Sequence, residues 1–79
     1  MGSKVYTEES REFYDAALVY WRCVKKDGDG STTAALAGMK MVALAVEANQ
    51  HGASKGELDL LSSTARIIVE RTEANNGNQ

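Results

Sequence analysis

Apolar residues recur every three to four positions along most of this chain, the spacing of amphipathic helices. Thr7 suits the position just before a helix, Glu8 and Glu9 place carboxylates in a first turn, and Lys25 and Lys26 place cations in a last one, as the helix dipole favours. A first helix is therefore expected from Glu8 to about Lys26. The run Asp27-Gly28-Asp29-Gly30 breaks it, and Ser31, Thr32 or Thr33 caps a second helix, Thr33 to His51, with Gly52 as its left-handed C-terminal residue. Ser54 and Glu57 have capping-box spacing and open a third helix through Leu58, Leu61, Ala65 and Ile68 to about Ala74. Ile67, Ile68 and Val69 are β-branched, yet they continue the helical period behind a clear cap, so a helix is expected there and not a strand. This gives a single helical domain over 5–74, with polar, disordered ends at 1–4 and 75–79.

Each helix leaves apolar surface to be covered. The first gathers Phe13, Ala17, Tyr20 and Val24 on one line and Tyr14, Leu18 and Trp21 on a second, about 90° away, with Glu8, Arg11, Glu12, Asp15, Arg22 and Lys26 on the solvated side. The second is apolar nearly all round: between Ala34 and Ala48 every residue is Ala, Val, Leu or Met except Gly38, Lys40 and Glu47. Ala34, Ala37, Gly38, Ala45 and Ala48 form a small-residue face suited to close helix approach, and Lys40, Glu47 and His51 a narrow polar strip. The third carries Leu58, Leu61, Ala65, Ile68 and Val69 on one stripe, while Leu60 and Ile67 lie about half a turn away. The expected fold class is all-α, a three-helix bundle or a helical hairpin plus a third helix, with the second helix central. Two neighbours from one chain do not cover that helix, so assembly as a homodimer or higher oligomer is expected, through Gly38 and Met41 and through the Leu60 and Ile67 line.

Size sharpens that expectation. With 79 residues the chain has room for one domain, and a domain this small buries only about 60% of its unfolded surface, so its own core is thin. A formal charge of -2 supplies no general attraction for nucleic acid or an anionic membrane. The apolar stretch Met41 to Val46 falls far short of the roughly 20 residues that cross a bilayer, so no membrane partner is expected. A lone Cys23 makes no internal disulfide, and the N-terminal residues lack the basic flank and apolar run of a secretory signal; a cytoplasmic setting is expected.

The motifs that could carry chemistry are partial. Lys25 to Leu36 resembles a calcium-binding EF-hand loop, with Asp27 and Asp29 at ligand positions and Gly30 at the glycine, but Lys25 and Leu36 stand where the first and last carboxylates belong. Glu47 and His51, four apart, share a helix face but lack the further ligands of a metal site. Glu8, Glu9 and Glu12 carry the E-E-x-x-E spacing that resembles half of the magnesium motif of all-α nucleoside triphosphate pyrophosphohydrolases; the second half, E-x-x-D on the next helix, is absent. Ala48, Gly52, Leu58 and Leu61 resemble in spacing a helix-turn-helix, which implies DNA binding with Lys55, Arg66 and Arg71 toward the backbone. Against it, Glu57 and Asp59 open the recognition helix with charges that repel phosphate.

No catalytic constellation, cofactor site or metal site is expected. The expected function is a small protein-protein interaction module, an adaptor or inhibitor that self-associates and docks on a larger protein through an aromatic anchor such as Tyr14 or Trp21. A helix-turn-helix DNA-binding protein is the alternative, although nucleic acid is not the expected partner, and a magnesium-dependent nucleotide pyrophosphohydrolase is the third reading.

Overall fold

The computed structural model describes residues 7–77, with side chains as far as Thr72. Three helices follow in order, α1 (Glu8–Asp27), α2 (Thr32–Gln50) and α3 (Lys55–Gly77), and there is no strand among the described residues. Of the ends expected to be disordered, 1–4 and 78–79 lie outside the described residues, whereas 75–77 are helical, since the backbone of α3 runs past Ala74 to Gly77.

The helix ends form where the local chemistry asks for them. Thr7 Oγ1 accepts the Ser10 backbone N–H at 3.1 Å. Ser31, of the three candidates, caps α2 by accepting from Ala34 N at 3.1 Å, so α2 begins at Thr32, one residue earlier than expected. Ser54 Oγ accepts from Glu57 N at 3.1 Å and starts α3. At the far end of α2, Gly52 sits at φ +108°, Ala53 N donates to Ala48 O at 3.0 Å, and Gly52 N donates to Asn49 O at 3.1 Å. That pair of bonds is a Schellman closure, in which a residue without a Cβ turns the chain and the last carbonyls are satisfied.

The packing order differs from the expected one. α1, not α2, is the central helix: it lies along both α2 and α3, and those two scarcely touch each other. The reason is already in α1, whose apolar face is wide enough to take a neighbour on each side. Tyr20 lies against Gly38 of α2, whereas Trp21 reaches Ser62 and Arg66 of α3, and Val24 and Val69 line a shared recess. These pairings make α2 antiparallel to α1 and α3 parallel to it.

The core is correspondingly small. Among the described residues, six of the ten buried apolar ones are alanines, at 16, 17, 34, 48, 53 and 65, and the larger side chains are Phe13, Leu58, Leu61 and Val69. Alanine contacts bring helices close but remove little apolar area from water. The molecule is flat, 38 × 32 × 17 Å, with a radius of gyration of 13.4 Å. A compact chain of this length would have about 12 Å.

Candidate functional site

The outward side of α2 is left without cover. Its inner side faces α1 through Ala34, Gly38, Met41 and Ala48, so the opposite side carries Leu36, Met39, Val42 and Val46, which are 61, 69, 59 and 53% exposed. Ala35 and Ala43 lie among them, also exposed. Successive turns thus stack into one apolar stripe along the helix, bordered by Lys40 and Glu47.

The stripe continues round into a groove. Because α2 and α3 separate beyond their common turn, a groove of about 530 Å3 opens between them. Phe13 is in its floor, Met41, Val42 and Val46 form the α2 wall, and Leu58 and Ser62 belong to the α3 wall. Lys55 and Asp59 place opposite charges in the same α3 wall. An apolar groove with a polar margin is the form a docking helix or loop takes up.

The residues singled out from the sequence divide between this surface and the interior. Gly38 and Met41 are used inside the chain: a Cβ at Gly38 would come within 3.1 Å of Tyr20 Cε1, and Met41 packs on the Phe13 cluster while also lining the groove. Tyr14 is half-buried against the same cluster. Trp21 is also half-buried; it packs edge-on against Tyr20 at 4.9 Å between centroids, donates from Nε1 to Ser62 Oγ at 3.4 Å, and carries the Arg66 guanidinium 5.2 Å from its ring centre. Leu60 and Ile67 are 60 and 52% exposed on the side of α3 turned away from α1, and Ile68, at the edge of the inner stripe, is 40% exposed. Leu36, Met39, Val42 and Val46 were not singled out, although the nearly all-apolar composition of α2 contained them; their exposure follows from α1 being central.

The partial motifs have local roles. Asp27 accepts the Thr33 hydroxyl at 2.7 Å, and Ser31 donates to Gly28 O at 2.9 Å, so the loop resembling an EF-hand is knit to the start of α2. His51 turns from Glu47 toward Glu9 on α1, with Nδ1 and Oε2 3.7 Å apart. Glu8 and Glu12 border an open recess with Arg11 and Asp15. Among the described residues no three His, Cys, Asp or Glu side chains come together as a metal-binding group. No helix in the described residues is long and apolar enough to cross a membrane.

The corner joining α2 to α3 holds the Ala48, Gly52, Leu58 and Leu61 spacing. Ala48, Ala53, Leu58 and Leu61 are buried in one cluster, and Gly52 takes the positive φ of the turn. No family model matches the chain, and no curated protein and no solved structure matches it either.

Proposed function

We propose that this chain is a self-associating helical interaction module that docks on a larger protein. One observation carries the reading: the stripe of Leu36, Met39, Val42 and Val46, four large apolar side chains each more than half exposed on successive turns. Scattered surface leucines are ordinary, but a contiguous helical stripe is apolar area whose removal from water would favour association at roughly 25 cal/mol per Å2. The thin, alanine-rich core supports the same reading, since a chain that buries little internally gains stability by burying more between molecules. The groove floored by Phe13 is the place for an apolar anchor of the larger partner.

Light scattering behind size exclusion, over a concentration series, tests the self-association. The wild type is expected to show at least twice its 8.5 kDa chain mass. Met39→Glu/Val46→Glu is expected to return it to the monomer without loss of helical circular dichroism. A wild-type monomer at every concentration would remove self-association and leave the stripe to a different protein.

A second reading, a DNA-binding helix-turn-helix, has the buried Ala48, Ala53, Leu58 and Leu61 corner in its favour. The exposed side of the first turns of α3 is ill suited to phosphate, since Asp59, Leu60 and Ser63 stand there with Lys55, and Arg66 lies by Glu70 with its Nε 3.2 Å from Oε2. Retention on duplex DNA at low salt, lost on Lys55→Ala or Arg66→Ala, would revive it.

A further inference from the structure

The charges beside the α2 stripe carry more than the fact of association. Leu36, Met39, Ala43, Val46 and Gln50 are spaced by three, four, three and four residues, the seam of a heptad repeat, and all five are exposed. Lys40 and Glu47 each follow a seam residue by one position, so they stand on the same edge, seven residues apart. The opposite edge holds Ala35, Val42 and Asn49 and has no charge.

Resting on the self-association proposed above, we infer that the occupant of this seam is the α2 of a second copy, antiparallel, with the two-fold axis beside Ala43 and Leu44. In a parallel pair each edge of a seam faces the other edge of its partner, and Lys40 and Glu47 would both look onto uncharged positions. In an antiparallel two-fold pair each edge faces its own copy. Lys40 then stands across from Glu47 of the second copy, and Glu47 across from its Lys40. One opposite-charge contact is made twice by symmetry, which fixes register as well as direction. Ala43 falls at the axis, where a small side chain lets the two backbones close. Met39 falls between Val46 and Gln50 of the second copy, so the most exposed side chain of the stripe gains the most cover.

Lys40 also borders a recess shared with Glu12 and Asp15 of α1, so charge reversal at position 40 would disturb its own chain as well as the pair. Cross-linking avoids that ambiguity. In a Cys23→Ser background, Lys40→Cys and Glu47→Cys are made as separate proteins and treated with a short bismaleimide, each alone and as an equimolar mixture. The mixture is expected to give a covalent dimer, up to about half of the chains if copies exchange freely, while each single variant alone stays uncross-linked. In that pairing the two Lys40→Cys sites lie seven residues out of step, roughly 10 Å along the axis.

Cross-linking of the Lys40→Cys protein with itself would mean a shifted register and would overturn the inference. A wild type that is dimeric by light scattering, with no cross-link in the mixture, would overturn it too and leave self-association standing as a parallel pair or through another surface. A monomeric wild type would remove both.

Discussion

Ser10 and Gly38 show how close the contacts on α1 are. Ser10 has no accessible surface; its hydroxyl accepts from Thr7 Oγ1 at 3.2 Å and donates to Glu57 Oε2 at 3.4 Å, joining the first turn of α1 to that of α3. Ser10→Ala removes a buried tie at the price of no new volume, and the loss expected in urea denaturation is about 1 kcal/mol. At Gly38 two effects oppose each other. Alanine there gains helix propensity of about 1 kcal/mol but sets a methyl 3.1 Å from Tyr20 Cε1, so Gly38→Ala is expected to change stability little. Gly38→Leu has no such room, and forcing α1 from α2 should cost about 1–3 kcal/mol in the same measurement.

At the scale of the helices, their ends were legible and their arrangement was not. Thr7, Ser31, Ser54 and Gly52 act through bonds to residues no more than three or four positions away, which is why sequence spacing sufficed to locate them. Gly52→Ala meets no neighbouring atom, so its expected cost of about 1–2 kcal/mol is the strain of a side chain at φ +108° alone, measurable as a lowered urea midpoint with unchanged slope. Ser31→Ala should cost about 1 kcal/mol through the lost cap on α2. The choice of α1 as the central helix depended on contacts between residues far apart in the chain. The two apolar lines of α1 were visible, but periodicity does not say how two helices share them, and Val24, on the Tyr20 line, meets α3. For the same reason the small-residue face of α2 suggested another copy when its neighbour is Tyr20, and the His51 ring suggested Glu47 when its neighbour is Glu9. Of the candidate surface, Leu60 and Ile67 were found because their line conflicts with the main stripe of α3. The α2 stripe was hidden by a helix apolar on every side.

For the whole molecule, the 17 Å thickness is the fact that matters most. A helix with its side chains is roughly 10 Å across, so the three helices lie close to a single layer and each presents an outer face to whatever surrounds it. If association buries the α2 stripe, thermal unfolding should become concentration dependent, with a midpoint that rises as protein is added; Met39→Glu/Val46→Glu should abolish the rise. The central position of α1 also has a kinetic consequence. Since α2 and α3 each lean on α1 and meet one another mainly at the corner where Ala48 and Leu58 are buried together, the molecule resembles two leaves on one spine, and each leaf is expected to open separately away from that corner. Amide hydrogen exchange should then separate into a slow spine and two faster leaves with their own opening free energies. A second copy seated on α2 would slow one leaf and leave the exchange of α3 as it was.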